Sequence, residues 1–544
     1  MPHLSFRRET DDRNETYFAE KSSRRATNST KLCKNSCLSN FQKLFCKKKY
    51  YDKLPHHLKS CLDYISIINF CKRHELVRLL LAEGLIPDRS GESMEDVAEN
   101  IIDELIQLGL LVEERYLETL EVVEPYNNIC SLEVDEHKFM SKAQHLPVHA
   151  VVNFDESSPR SIDFKNLRIC SLSLNARVSW GSRRGLSLEF MQDICKLQFL
   201  VVLRIFAVIE SIPDEVGNLV NLKYLELAMC VNLDNLPRTL GNLLKLQTLE
   251  LSYSGKLREL PADVLELQQL RHLLLGDVND LGVRVPKGIG KLVNLQTCYG
   301  VCAGYGIANE LATLTQLRRF GANCVSEGHS TELAAAIMNM QNLLSLSLQA
   351  EDALVDGEYR GVLPQFENFS PPHLIQELNL RGALIEIPSW VASMENLTSL
   401  TLYKSNLSQD EVSLLQHLPK LKYLYLQEAY DAKIIGKEFC EAGGFPKLET
   451  LKFVSEHLVE WAEIVNRAFP SLRYLVFRGC VNFRFVTEDL QNISTLQELT
   501  FWAVHEDLVR QLQGKDRHKV KRIPKVNYFP LENYRRRSTW EEKI

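Results

Sequence analysis

The chain has 544 residues, of which 45% are hydrophobic and 25% charged. Those proportions belong to a folded globular protein and exclude a mostly disordered, collagen-like or membrane-spanning chain. The 14 cysteines are scattered from Cys33 to Cys480 with no CxxC pair, which argues against a disulfide-stapled secreted scaffold and for a reduced intracellular setting. Net charge is −6 but uneven: residues 1–53 carry +7 and residues 515–544 carry +6, leaving −19 for the body.

The opening residues, MPHLSFRRETDD, hold no apolar stretch of signal-peptide length. The most apolar segment, Phe199–Ile209, is broken by Arg204 and is too short to span a bilayer. A cytoplasmic location is therefore expected, with the nucleus or a membrane periphery as alternatives and no transmembrane segment. Residues 1–53 read as a basic, disordered arm. Cys33, Cys37 and Cys46 with His56 and His57 fit no standard zinc spacing, so no metal is expected there.

Residues 54–125 have their own grammar. Pro55–Ile67 and His74–Leu85 read as helices. Ser93 caps a third, in which Met94, Val97, Ala98, Ile101, Ile102, Leu105 and Ile106 share one apolar face. After Gly109, Leu110–Tyr116 and Leu120–Val123 alternate as a hairpin does. Three helices and a hairpin predict a winged helix. Its third helix would show Glu95, Asp96, Glu99, Asp103 and Glu104 to solvent. Those carboxylates repel phosphate, so no nucleic-acid partner is expected. Residues 126–160 read as a linker.

Residues 161–512 are repetitive. Leu222-Lys-Tyr-Leu225-Glu-Leu227 recurs as Leu246-Gln-Thr-Leu249-Glu-Leu251 and Leu421-Lys-Tyr-Leu424-Tyr-Leu426. The second apolar position falls at Cys170, Leu203, Leu225, Leu249, Leu273, Cys298, Phe320, Leu346, Leu378, Leu400, Leu424, Leu451, Leu475 and Leu499. These 14 units are spaced mostly 22–27 residues apart, the range of leucine-rich repeats. Alternate side chains of a strand share a face, so the leucines of one unit point together and only stacked neighbours can bury them. The expected fold is α/β: a leucine-rich-repeat solenoid with a curved parallel sheet, preceded by a small winged-helix domain. Residues 513–544 read as a basic C-terminal tail.

At this point the sequence resembles the plant intracellular nucleotide-binding, leucine-rich-repeat disease resistance proteins of the coiled-coil class. Leu54-Pro-His-His-Leu-Lys-Ser-Cys61 through Tyr64-Ile-Ser-Ile67 is similar to that family's LPxxLKxCFLYxSIFPED stretch. Leu76-Val-Arg-Leu-Leu-Leu-Ala-Glu-Gly84 is similar to its LIRLWIAEGF. Glu95-Asp-Val-Ala-Glu99 through Asp103-Glu-Leu105 resembles EEVAExYLxEL. Further likeness runs through Gly443-Gly-Phe-Pro-Lys-Leu448, Phe469-Pro-Ser-Leu472, Arg478-Gly-Cys480 and Leu490–Leu496.

The resemblance implies pathogen defence. It also implies a member truncated to its winged helix and repeats, because no GxxxxGK[ST] phosphate loop occurs. Gly288-Ile-Gly-Lys291 aligns with the Gly217-Asn218 and Gly241-Asn242 turns and reads as one more turn of the solenoid. Val123-Glu124-Pro125 stands where the family carries a histidine that senses nucleotide. No cofactor is expected.

No HExxH or GxSxG signature appears either, so the chain reads as non-catalytic. What remains is a surface. On the concave face, early strands offer Tyr224, Glu226, Thr248, Glu250, Ser252 and His272, and late ones offer Tyr403, Tyr423, Tyr425, Lys452, Tyr474, Arg478, Glu498 and Trp502. Aromatic and arginine side chains dominate protein interfaces. Tyr403, Tyr423, Tyr425, Lys452, Tyr474, Arg478 and Trp502 are therefore the expected protein-binding residues. The expected partner is a pathogen effector, a guarded host protein or a full-length receptor. The alternatives are a nucleotide-dependent immune switch and a non-functional gene fragment.

Overall fold

The computed structural model describes residues 53–68, 71–114, 119–122, 132–133, 148–154 and 169–176, and residues 186–529 with short breaks at 231, 253–255, 277–281, 305, 352–353, 356–357 and 360. The expected basic arm, with Cys33, Cys37 and Cys46, and most of the expected linker lie outside these residues. The chain divides into two units, 1–127 and 128–544.

In the first unit, α1 (His56–Ile68), α2 (Arg73–Ala82) and α3 (Met94–Gln107) bury Leu58, Cys61, Leu76, Leu80, Val97, Ile101 and Leu105. Ser93 accepts the Asp96 amide at 3.1 Å, supplying the cap that the sequence predicts for α3. Strand β1 (Cys71–Lys72) pairs with β3 (Thr119–Val122), which pairs with β2 (Leu111–Glu114), all antiparallel. The expected hairpin is thus a three-stranded sheet in the order β1–β3–β2.

The acidic face of α3 differs from the expectation. Glu95 is buried. Glu99 and Asp103 hold the Arg73 guanidinium, each at 2.5 Å, and Glu99 lies 3.4 Å from His74. Burial pushes the Glu99 carboxyl up, but hydrogen bonds from His74 and Arg73 and their charges pull it further down, to about 2. Helix periodicity gives the face of a side chain; it does not reveal a basic residue delivered from another helix.

The second unit is built on one parallel sheet of 17 strands among the described residues. They are β4 (Leu132–Glu133), β5 (Val148–Phe154), β6 (Ile169–Ala176), β7 (Val202–Phe206), β8 (Tyr224–Ala228), β9 (Thr248–Glu250), β10 (His272–Leu274), β11 (Thr297–Cys302), β12 (Arg319–Val325), β13 (Ser345–Ala350), then β16 (Glu377–Arg381), β17 (Ser399–Tyr403), β18 (Tyr423–Gln427), β20 (Thr450–Val454), β22 (Tyr474–Arg478), β24 (Glu498–Trp502) and β25 (Lys525–Phe529). Each strand pairs with its predecessor and its successor in this series; among the described residues no register joins β25 to β4. A small hairpin, β14 (Leu354–Val355) with β15 (Glu358–Tyr359), interrupts the series. Three short strands, β19 (Ile434–Ile435), β21 (Glu460–Trp461) and β23 (Phe485–Val486), form a second parallel sheet.

Thirteen of the fourteen expected core positions stand in one register row: Leu203, Leu225, Leu249, Leu273, Cys298, Phe320, Leu346, Leu378, Leu400, Leu424, Leu451, Leu475 and Leu499. All are at most 1% exposed. Burying each leucine is worth about 1.5–3 kcal/mol, gained only against the neighbouring repeats. The exception is β6, where Leu172 and not Cys170 faces Leu203.

The sheet also outruns the expected 161–512 at both ends. Strands β4 and β5 lie in the expected linker, and β25 lies in the expected tail, where Val526 continues the core row opposite Leu499. Parallel pairing satisfies backbone groups whatever the side chains, so a strand needs no leucine to join.

Several returning arcs are short 3₁₀ turns, Asp214–Asn218, Arg238–Asn242, Ala262–Glu266 and Ile289–Lys291 among them, and others are helices such as Glu327–Asn339. Gly288–Lys291 is one of these, with Ile289 buried in the core and the Gly288 amide donating to the Glu310 carboxylate at 2.5 Å. Asn221, Asn294, Asn342 and Asn396 each donate to a carbonyl of the preceding repeat at 2.8–3.0 Å. Toward the C-terminus the core becomes aromatic: Phe453, Phe477, Phe501 and Tyr528 stack at 5.5–5.7 Å along successive strands.

Candidate functional site

The face of the sheet turned away from the leucines presents three rows of side chains, one for each outward position of a strand. The register fixes who stands beside whom. The first row runs Glu377, Ser399, Tyr423, Thr450, Tyr474, Glu498, Lys525. The second runs Asn379, Thr401, Tyr425, Lys452, Val476, Thr500, Asn527, and the third Arg381, Tyr403, Gln427, Val454, Arg478, Trp502, Phe529. Adjacent strands lie about 4.8 Å apart, so neighbours within a row touch.

All seven expected residues fall on this face and share it within five adjacent strands. Cations and rings alternate. The Arg381 guanidinium lies 3.6 Å from the centre of the Tyr403 ring, with the Lys404 ammonium at 5.4 Å. The Lys452 ammonium lies 4.9 Å from Tyr423 and 5.8 Å from Tyr425, and Arg478 lies 5.3 Å from Trp502. The Tyr474 hydroxyl donates to the Gln497 side chain at 3.2 Å. Tyr403, Tyr423, Tyr425, Lys452, Tyr474 and Arg478 are half-buried. Trp502 is only 8% exposed, packed 5.0 Å from Phe529; it supports the face more than it presents a surface.

Sequence reasoning missed Arg381 and Phe529. Arg381 follows Leu378-Asn-Leu380 as Tyr403 follows Leu400-Thr-Leu402, so its signal was present. Phe529 lies on a strand without leucines and gave none.

The early positions behave differently. Tyr224, Glu226, Thr248 and His272 are all 5% exposed or less. Arg204 pairs with Glu226 at 2.7 Å, and the Tyr224 hydroxyl donates to Glu250 at 3.0 Å and to Glu226 at 3.4 Å. His272 hydrogen-bonds Thr297 at 3.1 Å. The expected polar, acidic surface there is instead a largely buried, hydrogen-bonded network, with only Glu250 and Ser252 of those positions half-buried.

Among the described residues no group of three metal-ligating side chains is brought together, and no helix is long and apolar enough to cross a membrane.

Comparison with known proteins agrees with this architecture. Residues 186–525 match the family model of a leucine-rich repeat region, and residues 69–124 match the disease resistance protein winged helix domain. A probable disease resistance RPP8-like protein 2 of Arabidopsis thaliana is 25% identical over 515 residues, covering 89% of this chain and 55% of the relative. The disease resistance protein RPM1 of the same plant is 31% identical over 258 residues, 46% of this chain and 27% of its own. The chain spans about half the length of most of the relatives it matches. Among solved structures, a leucine-rich-repeat protein of Leptospira interrogans covers 69% of this chain and 89% of its own, with 16% identity and a TM-score of 0.35. Winged helix, repeat register and relatives agree: the chain belongs to the leucine-rich-repeat family of plant disease resistance protein homologues, with winged-helix and repeat regions spanning most of its length.

Proposed function

We propose that the chain is a non-catalytic protein-recognition module of plant innate immunity, acting in the cytoplasm. In this reading it binds a pathogen effector, a guarded host protein or a partner receptor through the C-terminal half of the sheet. One observation carries it: Tyr403, Tyr423, Tyr425, Lys452, Tyr474 and Arg478 share one half-buried face, with cations against rings. Tyrosine and arginine supply large contact area at low entropic cost, and a backbone ladder holds these side chains at fixed spacing before any partner arrives.

The test compares the full chain with a triple variant, Tyr425→Ala, Lys452→Ala and Arg478→Ala, against a panel of purified pathogen effectors and homologous receptors by surface plasmon resonance. Each hot-spot truncation costs at least about 1.4 kcal/mol, a tenfold weakening. The expected result is loss of binding by tenfold or more with a cooperative melting curve lowered only by the small cost of the lost cation–ring contacts. Full retention of binding by the triple variant overturns the assignment of the face.

A further inference from the structure

Strands β11 and β12 run side by side in the middle of the sheet. Val301 stands opposite Ala322 in the core, and Cys302 opposite Asn323. Beyond Ala322 the register of β12 slips before Val325. Cys324 sits in that slip with φ 56°, in the left-handed region. An irregularity of this kind re-aims the next side chain. Here it brings the Cys324 thiol into a hydrogen bond with the Cys302 sulfur across two repeat units. Cys324 stands one residue beyond the position opposite Cys302, so a strand spacing of about 4.8 Å and a rise of about 3.3 Å put the two Cα atoms about 5.8 Å apart, within the separations of about 4.4–6.8 Å that disulfides bridge. Both residues crowd the Cβ position of Gly282, Cys324 Sγ at 3.1 Å and Cys302 Cα at 3.5 Å. Both cysteines are partly exposed and reduced.

We propose that Cys302 and Cys324 form a redox-responsive dithiol, which a hydroperoxide converts into a disulfide fastening two neighbouring repeats at the middle of the sheet.

The surroundings of Cys302 set it apart from six other described thiols. Cys61, Cys195, Cys230, Cys298, Cys440 and Cys480 are all pushed up to about 12 by burial, and so stay protonated and inert. Cys302 moves the other way. The Cys324 hydrogen bond lowers it; burial opposes this; the Gly304 amide lowers it again; Glu351 raises it slightly and Arg284 lowers it; the result is about 7. Cys302 lines a small cleft with Arg284, Lys287, Gly304 and Glu310, and its partial exposure gives a small oxidant a way in.

The chemistry balances in two steps. The Cys302 thiolate attacks the O–O bond of the hydroperoxide. One oxygen passes to sulfur as a sulfenic acid, and the leaving alkoxide or hydroxide takes a proton. The Cys324 thiol then attacks the sulfenyl sulfur; the S–S bond forms, the S–O bond breaks and water leaves with the thiol proton. Sulfur loses two electrons in all and the peroxide gains them. A cellular thiol reverses the reaction by exchange.

The test uses the full chain. With iodoacetamide, peptide mapping should show Cys302 alkylated with a midpoint near pH 7. At that pH it should react about threefold faster than an unperturbed exposed thiol, its larger thiolate fraction being partly offset by lower intrinsic nucleophilicity. Stoichiometric hydrogen peroxide should yield a Cys302–Cys324 linked peptide that dithiothreitol reverses. Cys324→Ser should leave a dimedone-trapped sulfenic acid on Cys302, and Cys302→Ser should abolish both products. The wild-type mapping needs no variant to fold. A Cys302 no more reactive than the buried cysteines, or a peroxide product without the 302–324 link, overturns the proposal.

Discussion

The two halves of the sheet share a period, a backbone ladder and a leucine row, yet use their second face in opposite ways. Between β7 and β11 that face is a buried, hydrogen-bonded network: Arg204 with Glu226, Tyr224 with Glu250, His272 with Thr297. From β16 to β22 the same positions hold rings and cations at half exposure, backed by the buried Trp502 of β24. A repeat fixes where a side chain stands; the residue placed there decides whether the position stabilises the solenoid or is left for a partner. The halves also differ in their core, aliphatic at Leu227 and Leu251 but aromatic at Phe453, Phe477 and Phe501.

The largest expected effect tests that division directly. Glu226→Ala leaves the Arg204 guanidinium without its carboxylate, with both side chains at most 8% exposed. Removing one partner of a buried pair costs about 3–5 kcal/mol. The matching truncation in the other half, Arg478→Ala, removes a partly exposed cation–ring contact worth about 0.5–1 kcal/mol. Urea denaturation of the two variants should therefore separate them several-fold. Equal losses would collapse the distinction between a structural and a presenting half.

The returning arcs offer a second contrast. A Cβ at Gly241 would stand 2.5 Å from the Asp263 carbonyl oxygen in the next arc, backbone that cannot step aside. Gly328, near the start of the helix Glu327–Asn339, has nothing within 4 Å of its Cβ position. Gly241→Ala should cost about 1–3 kcal/mol by overpacking. Gly328→Ala should gain about 0.5 kcal/mol from reduced backbone freedom in the unfolded chain. Thermal melts with opposite signs would show that the 3₁₀ arcs set the repeat spacing tightly while the helical arc leaves room.

Much of this was readable in the sequence, for a definable reason. The leucine period carries the register, because a shift of one residue would turn every leucine to the other face. A shift of two does not. Hence Cys170 and Leu172 serve the pattern equally well, and only pairing with Leu203 chooses between them. The same alternation names the outward residues without saying what covers them, so Tyr403 and Tyr224 looked alike in sequence and differ in exposure. Partners brought from another element, such as Arg73 for Glu99 or Cys324 for Cys302, leave no local trace. Strand β25 escaped because Lys525-Val-Asn-Tyr-Phe529 carries no leucine, valine and tyrosine taking the core positions.

The smallest expected effect concerns a glutamate in the presenting half. Glu428 follows β18, and its carboxylate accepts the Glu456 amide at 3.3 Å. Burial raises its pKa, with the charge of Glu456 adding to the rise and the Glu456 amide, His457 and Lys404 opposing it. The folded state therefore binds a proton more readily than the unfolded chain, and ionisation at neutral pH costs stability that is regained as pH falls through the folded value. Glu99 in the winged helix has the opposite sign: its stabilisation is present above the ordinary carboxylate range and is lost as pH falls toward about 2. Glu428→Gln, whose amide oxygen can still accept the Glu456 N–H, should raise the melting temperature slightly at pH 7 and leave it unchanged near pH 4. Glu99→Gln should lower it at pH 7 and lose its effect in acid. If Glu428→Gln destabilised the chain as Glu226→Ala does, the C-terminal half would also depend on its charges for stability, and the contrast between the halves would be one of exposure alone.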